Sequence, residues 1–352
     1  MESISLKAAS ATRDTKRFAL AIVVIGRNEG ARLRAALGPL AGGSVPALYV
    51  DSGSTDGSPG LARSLGIDVL ELAPDRPWSA ARARNEGFER LLQRDPSLEW
   101  VQFLDGDCVL APGWLDRGVA ELEQRPDTAV ACGRLRELKP EASVYNRLCQ
   151  LEWDRPPGEV SECGGIMMVR VRAFRAVGGF DARLIAGEDP EFCLRLRGAG
   201  WKIRRLDAEM AVHDAAMFRF SQWWTRAIRA GHAYAQAASL HRAERYRARE
   251  CRSIWGWAVG LPLVVALLAW PTHGWSLLAL GLYPVQALRI AARERRRGTR
   301  WVDAWLHGMF CVGAKWPQVQ GWIRYHRRRR TAGGPSIIEH KSSLGETPGD
   351  SR

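Results

Sequence analysis

Short apolar runs alternate with amphipathic stretches over the first two thirds of the chain. Four runs rich in β-branched and aromatic residues predict strands: FALAIVVIG, ALYVDSGS, IDVLEL and EWVQFLD. Between them, apolar residues recur at helical spacing in EGARLRAALGPL, SPGLARSLG and SAARARNEGFERLL. Alternation of this kind predicts an α/β domain over residues 18–250, in which helices cover a mostly parallel sheet. Ligands of such sheets bind at the carboxyl ends of the strands, where Asp51 and Asp105 are expected to lie.

The pattern changes after this domain. Residues 253–288 contain no Asp, Glu, Lys or Arg, and arginines flank both sides of the segment. Because a spanning helix needs roughly 20 apolar residues, we predict a transmembrane hairpin whose PTHG turn lies across the bilayer and whose flanks are cytosolic. The alternative is a buried helical hairpin in a soluble domain. Residues 301–330 are rich in Trp and end in four arginines, which predicts interfacial helices whose arginines contact anionic headgroups or remain solvated. The membrane-associated region therefore covers residues 251–330.

The net charge and the two ends of the chain indicate which partners and which cellular location to expect. A formal net charge of +13 calls for an anionic partner, such as a nucleic acid, a phosphorylated substrate or an acidic lipid. The basic residues cluster around the apolar hairpin, so we expect no nucleic-acid partner. Residues 1–17 carry no apolar signal segment and are expected to form a flexible tail, and residues 331–352 a disordered one. Seven scattered cysteines favour a reducing compartment. We therefore expect the α/β domain on the cytoplasmic side of the inner (plasma) membrane.

Two carboxylates end the strand in EWVQFLDGDCVL. Asp105 and Asp107 are separated only by Gly106, and at this spacing in an extended segment both side chains point to the same side. A hard divalent cation, Mg²⁺ or Mn²⁺, would relieve their repulsion and also bind substrate phosphates. The alternative is a polar turn, because Asp and Gly are common turn formers.

Several motifs in chain order resemble the family 2 glycosyltransferases, inverting enzymes of GT-A fold that use nucleotide-sugar donors. ALAIVVIGRNEG resembles the opening strand and turn of that family, and YVDSGSTDGS resembles its base-recognition motif, with Ser52 in place of a second aspartate. ARARNEGF is similar to the segment over the donor phosphates, and FLDGD to the D-x-D metal motif. GGFDARLIAGEDPEFCLRLRGAGW resembles the acceptor and base region, and AVHD the late metal histidine.

The resemblance implies roles for individual residues. It implies a divalent metal, Mn²⁺ or Mg²⁺, held by Asp107, Asp105 and His213. The implied donor-binding residues are Asn28, Glu29, Asp51, Ser54, Arg84, Asn85, Asp105, Arg226 and Arg229. Other interpretations stay open: a cap near the next helix for Asp51, a solvated helical face for Arg84, and a purely structural role for His213.

The GEDP segment allows two interpretations. Asp189 precedes Pro190, so it fits the cap before the first helical residue. The resemblance instead implies that a carboxylate here is the general base for the acceptor hydroxyl, with Asp189 the first choice and Glu188 the second.

These expectations describe a metal-dependent inverting transferase that moves a sugar from a nucleotide-sugar donor to a hydroxyl acceptor. Its placement suggests a lipid-linked or surface-polysaccharide precursor as acceptor and membrane lipids as partners. The rival interpretations are a nucleotidyltransferase, a glycoside hydrolase with paired carboxylates, and a non-catalytic scaffold of a polysaccharide assembly complex.

Overall fold

The computed structural model describes residues 19–330, so both predicted tails lie outside the described residues. Within this range the chain forms two compact units, one of residues 19–139 and 153–216, the other of residues 140–152 and 217–330. The helix at Phe220–Leu240, which the sequence predicts as part of the first domain, belongs to the second unit. The predicted domain boundary near residue 250 remains a prediction.

The first unit contains a nine-stranded sheet with the order β3-β2-β1-β4-β8-β6-β9-β5, and β7 pairs with β9. The strands are β1 (Leu20–Gly26), β2 (Ala47–Asp51), β3 (Asp68–Glu71), β4 (Trp100–Asp105), β5 (Cys108–Leu110), β6 (Thr128–Glu137), β7 (Gly158–Glu159), β8 (Met167–Arg170) and β9 (Lys202–His213). Its helices are α1 (Ala31–Leu37), α2 (Ser58–Ser64), α3 (Ala80–Arg94), α4 (Trp114–Gln124), α6 (Val171–Ala176) and α7 (Glu188–Gly198).

The first four strands follow the predicted pattern. β3, β2, β1 and β4 run parallel, and β1 and β4 are almost entirely buried, as expected of strands covered on both faces. Ser79 caps α3 by accepting a hydrogen bond from the Arg82 N–H at 3.1 Å, where the sequence predicts a helix opening. This α/β architecture agrees with the predicted GT-A fold class.

The second half of the sheet is mixed. β8 runs antiparallel between β4 and β6, while β9 runs parallel to β6 and antiparallel to β5. Of the register shifts along β6 and β9, the first adds a residue to β6 and the later ones add residues to β9, so that the last residues of both strands, Glu137 and His213, end in register. Cys108 of β5 pairs with His213 from the other side. The ends of these three strands therefore bring a row of polar side chains together at one end of the sheet, across neighbouring strands.

The second unit is helical. It contains most of α5 (Val144–Trp153), then α8 (Phe220–Leu240), α9 (Ala248–Trp255), a π-helical turn (Gly256–Gly260), α10 (Leu261–Ala269), a 3₁₀ segment (Trp275–Gly281), α11 (Leu282–Arg295), α12 (Trp301–Gly313) and α13 (Lys315–Arg330). α8 and α13 approach closely at two glycines. A Cβ on Gly231 would lie 2.0 Å from the Gln318 carbonyl oxygen, and one on Gly321 would lie 1.9 Å from that of Ile228.

Two helices are long and apolar enough to cross a membrane, Ala248–Ala269 with mean hydropathy 1.6 and Trp275–Arg295 with mean hydropathy 1.2. Only 11% of the most apolar window of each is buried within the protein. Large apolar side chains are exposed along both, among them Leu263, Val264, Leu267, Trp270, Trp275, Leu278, Val285 and Leu288. The hairpin is therefore not buried within the described residues, and an apolar surface of this extent suits a membrane or a protein partner.

Candidate active site

The loops after β1 and β2 are joined by side-chain hydrogen bonds. The Asn28 N–H donates to Ser54 Oγ at 2.9 Å, and Asn28 Oδ1 accepts from the Thr55 N–H at 2.8 Å. The Gly30 N–H donates to Asp56 Oδ2 at 2.9 Å. Asn28 adopts φ of 54°, a left-handed conformation that asparagine tolerates better than most residues. These bonds hold together two loops that the sequence predicts to contact the donor.

Asp51 is buried, with 1% of its surface exposed, and its carboxylate oxygens are engaged within the protein. Oδ1 accepts from the Tyr49 hydroxyl at 2.9 Å, while Oδ2 accepts from the N–H groups of Gly53 and Ser54 at 3.0 and 2.8 Å. Burial and the neighbouring Asp51 carboxylate raise the pKa of Tyr49. The geometry gives Asp51 a turn-forming role within its own loop and not the cap that the sequence leaves open, because the next helix begins at Ser58. Contact with the donor base stays a prediction.

Glu29 lies beneath the D-x-D turn. Its carboxylate pairs with Arg32 at 3.1 Å, and a Cβ on Gly106 would meet Glu29 Cγ at 3.2 Å. The same Cβ would lie 3.2 Å from the Ile25 carbonyl oxygen. A side chain at position 106 would therefore pack tightly against Glu29 and β1.

Arg84 lies at the centre of a cluster of carboxylates. Its guanidinium donates to Glu188 Oε1 at 2.8 Å, to Asp189 Oδ1 at 3.0 Å and to Asp105 Oδ1 at 2.9 Å. Burial alone would lower the pKa of Arg84, but the charges of Asp189, Asp105 and Glu188 outweigh burial and raise it. The sequence predicts that Arg84 neutralises the donor diphosphate. In the structure its partners are carboxylates, so this residue joins the strand-end aspartate to the predicted base.

Helix α7 begins one residue earlier than the predicted cap. Glu188 is its first residue, and the N-cap is Gly187 in a left-handed conformation with φ of 78°. Asp189 therefore lies within the first turn, and the hypothesis that it caps the helix is wrong. Its carboxylate contacts Arg84 instead. The Asp189 side chain is 18% exposed, whereas that of Glu188 is 7% exposed. Of these two carboxylates, that of Asp189 is the more accessible to an acceptor.

Asp107, Cys108 and His213 form a compact set of side chains that could hold a metal, with ligand atoms all within 4.8 Å of one another. The Asp107 Oδ2 and His213 Nε2 atoms are 3.2 Å apart, and the Cys108 thiol donates to Asp107 Oδ1 at 3.3 Å. A carboxylate oxygen is a suitable ligand for Mn²⁺, and imidazole nitrogen is a ligand of several divalent transition metals. The residues present fit the predicted ion. The structure brings Asp107 and His213 together, whereas Asp105 is engaged by Arg84 and its part as a metal ligand stays a prediction.

One residue of this site is missed by the sequence analysis. Glu137 is fully buried, and its Oε2 lies 3.4 Å from Nδ1 of His213. Its carboxylate also accepts from the N–H groups of Ala215 at 3.1 Å and Lys139 at 3.4 Å. The only signal in the sequence is an acidic residue at the end of an apolar run, TAVACGRLRE.

The remaining predicted donor residues have contacts of their own. Asn85 joins α3 to a distant loop, since Nδ2 donates to the Phe180 carbonyl at 2.7 Å and Oδ1 accepts from the Phe180 N–H at 2.9 Å. Arg226, on α8 of the second unit, pairs with Glu152 at 2.7 Å, and this carboxylate raises the pKa of Arg226. Arg229 is half-buried on the same helix. Donor contact by these three residues stays a prediction.

Comparison with known proteins identifies the family. Residues 100–316 match the profile of glycosyl transferase family group 2, and residues 21–178 match that of glycosyl transferase family 2. The chain belongs to the family 2 glycosyltransferases. Its activity is therefore glycosyl transfer.

Individual relatives agree with this assignment. The glycosyltransferase AglE of Haloferax volcanii is 27% identical over 234 residues, which cover 64% of this chain and 72% of AglE. The pre-mycofactocin glycosyltransferase of Mycobacterium tuberculosis is 28% identical over 207 residues, which cover 55% of this chain but 42% of that relative. In fold, the chain resembles the mannosyltransferase PcManGT of Pyrobaculum calidifontis, solved with GDP-Man and Mn²⁺, with TM-score 0.56 and 16% identity over 87% of this chain and 86% of that one.

Proposed function

We propose that this glycosyltransferase is metal-dependent and inverting, and that it moves a sugar from a nucleotide-sugar donor to an acceptor hydroxyl. The observation that carries the proposal is the pairing of Asp107 with His213 beside the cluster in which Arg84 contacts Asp105, Glu188 and Asp189. The Mn²⁺ in the solved complex of PcManGT supports a divalent ion here. When bound, such an ion supplies positive charge for the diphosphate that leaves.

Asp189 and Arg84 have different roles in the proposed reaction. Asp189 accepts the proton of the acceptor hydroxyl, and Arg84 holds its carboxylate in place through Nη1. A positioned base of this kind contributes typically about 10²–10⁴-fold to the rate. Attack by the hydroxyl on the anomeric carbon in one displacement releases the nucleoside diphosphate and inverts the configuration. We expect the joined loops at Asn28 and Ser54 to contact the nucleotide.

The exposed apolar helices support a membrane setting. We propose that Ala248–Ala269 and Trp275–Arg295 span the inner membrane with both arginine-rich flanks in the cytosol. The active site then faces the cytoplasm, and a lipid-linked or surface-polysaccharide precursor is the acceptor class that this placement favours. The rows of arginine beyond these helices suit anionic headgroups.

The test compares two matched variants of the full chain in detergent or nanodiscs. Asp189→Asn keeps an oxygen that can accept from Arg84 but removes the proton acceptor, so sugar transfer should fall by about 10²-fold or more. Binding of Mn²⁺ and of a nucleoside diphosphate should persist, because those groups lie on other segments. Glu188→Gln is the control and should cost less transfer per folded molecule. Near wild-type transfer by Asp189→Asn would exclude it as the base and direct attention to Glu188.

A panel of nucleotide sugars tests the broader proposal. We expect at least one donor to be hydrolysed or transferred with Mn²⁺ present, and the rate to fall in EDTA. Absence of turnover with every donor and acceptor offered would favour the scaffold alternative.

A further inference from the structure

We propose that Glu137 is a positioning residue of the metal centre, which holds the His213 imidazole so that its Nε2 atom faces Asp107. This inference rests on the proposed function in one respect only, namely that Asp107 and His213 hold a divalent ion. It concerns a side chain that neither the motifs nor the family resemblance assigns.

The sheet fixes the two residues relative to each other. Glu137 and His213 are the last residues of β6 and β9, and they are paired in a parallel register. Paired residues in neighbouring strands present their side chains on the same face. The register shifts upstream in the two strands produce this pairing, because without them a different residue of β9 would lie opposite Glu137.

The carboxylate is itself held in place. It is fully buried, and it accepts from the Ala215 N–H at 3.1 Å on one side and from the Lys139 N–H at 3.4 Å on the other. A buried carboxylate with these bonds has little freedom to turn. It therefore offers a fixed acceptor to the imidazole, at 3.4 Å from Nδ1.

The imidazole has one nitrogen for each neighbour. A ring N–H that faces a carboxylate donates to it, so Glu137 favours the tautomer with the proton on Nδ1. The lone pair is then on Nε2, which lies 3.2 Å from Asp107 Oδ2 and is the atom available to an ion. The Trp153 ring packs edge-on against the imidazole, with ring centroids 4.5 Å apart, and restricts its rotation further. Partners of this kind orient metal-binding histidines and raise their basicity as ligands.

The experiment measures Mn²⁺ affinity of the full chain by electron paramagnetic resonance of the free ion, with no substrate present. Glu137→Gln should bind Mn²⁺ about 10–100-fold more weakly than wild type. The control Glu209→Gln changes a side chain of β9, the strand that carries His213; this side chain is 48% exposed and paired with Arg136, and the variant should bind Mn²⁺ like wild type. Equal affinity of Glu137→Gln and wild type would overturn the inference.

A double-mutant cycle separates positioning from a general structural effect. In a His213→Ala background, Glu137→Gln should change the residual Mn²⁺ affinity by less than about twofold, because the group it orients is absent. The same loss in both backgrounds would show that Glu137 acts through the backbone, which also overturns the inference.

The outcomes distinguish this inference from the metal proposal. Wild type that binds no more Mn²⁺ than Asp107→Ala would refute both. A second outcome would refute only the role of Glu137. In that outcome, wild type and Glu137→Gln both bind Mn²⁺ tightly, and Asp107→Ala does not.

Discussion

Arg84→Met should destabilise the first unit strongly, because it removes the one guanidinium that three carboxylates share. How much each ion pair of Arg84 contributes to the free energy of unfolding depends on how deeply the pair is buried. The Arg84 and Glu188 side chains are 3% and 7% exposed, so their pair is buried, and breaking such a pair by removing one partner costs about 3–5 kcal/mol. The Asp105 carboxylate is 36% exposed, and a pair of that kind contributes about 0–1 kcal/mol. The buried pair with Glu188 therefore contributes more to the expected loss than the pair with Asp105.

The assay is thermal unfolding of the purified full chain, followed by intrinsic fluorescence. For a unit of this size, the expected loss lowers Tm by about 6–20 °C. Arg84→Lys is the matched control: it keeps the charge, but a single ammonium lacks the fork that reaches three carboxylates, so we expect an intermediate Tm.

A second mutation, Glu188→Gln, should change Tm in opposite directions in the wild-type and Arg84→Met backgrounds. Glu188→Gln alone should lower Tm, because it breaks the buried pair and leaves Arg84 with fewer partners. In the Arg84→Met background the same change should raise Tm, because it removes a buried carboxylate that has lost its cation. Destabilisation by Glu188→Gln in both backgrounds, or an Arg84→Met variant that melts like wild type, would refute the assignment of the cluster as an ion-pair network.

Three further predictions concern other parts of the chain. Gly165→Ala should lower the free energy of unfolding by about 1–3 kcal/mol in thermal melts, because the new Cβ would lie 1.9 Å from the guanidinium of Arg84. The control Gly164→Ala should cost little, because its Cβ would meet nothing within 4 Å. Burial alone would raise the pKa of Asp56, but its hydrogen bonds outweigh burial, so the pKa is lower in the folded state. The ionised Asp56 therefore stabilises the fold fully above the unfolded-state pKa of about 3.9, and this stabilisation is lost as pH falls through the folded-state pKa. The Tm difference between wild type and Asp56→Asn should therefore shrink below about pH 4, and a constant difference would contradict this. Thr272→Cys should react with an impermeant maleimide added outside intact cells and Thr299→Cys only after permeabilisation; the reverse pattern would contradict the predicted topology.

The strands were the most predictable part of the structure, for a local reason. The run at Leu20–Gly26 is apolar throughout, since a strand covered by helices on both faces has no solvent-facing positions. The opening of α3 was equally local: Ser79 precedes the helix and accepts from the N–H three residues on. Each feature depends on residues that are adjacent in the sequence, and such patterns can be recognised without the fold.

The features that could not be predicted depend on contacts between distant segments. Local preferences place a cap at Asp189, but Arg84, which is 105 residues away, engages its carboxylate, and Gly187 precedes the helix instead. Glu137 and His213 are 76 residues apart, and the irregular register of β6 and β9 brings them together. A register shift of this kind has no signature in composition or periodicity, so Glu137 could not be assigned from the sequence.

The division of partners between Asp105 and Asp107 explains how two adjacent carboxylates persist at the end of one strand. Asp105 contacts Arg84, whereas Asp107 contacts His213 and Cys108, so the two charges have separate neighbours although only one residue lies between them. The guanidinium of Arg84 contacts two further carboxylates, those of Glu188 and Asp189. A nucleoside diphosphate is itself an anion, and this edge of the sheet would repel it in the absence of a cation. Under the proposed function, a divalent ion held by Asp107 and His213 would offset this repulsion next to the carboxylates that contact Arg84.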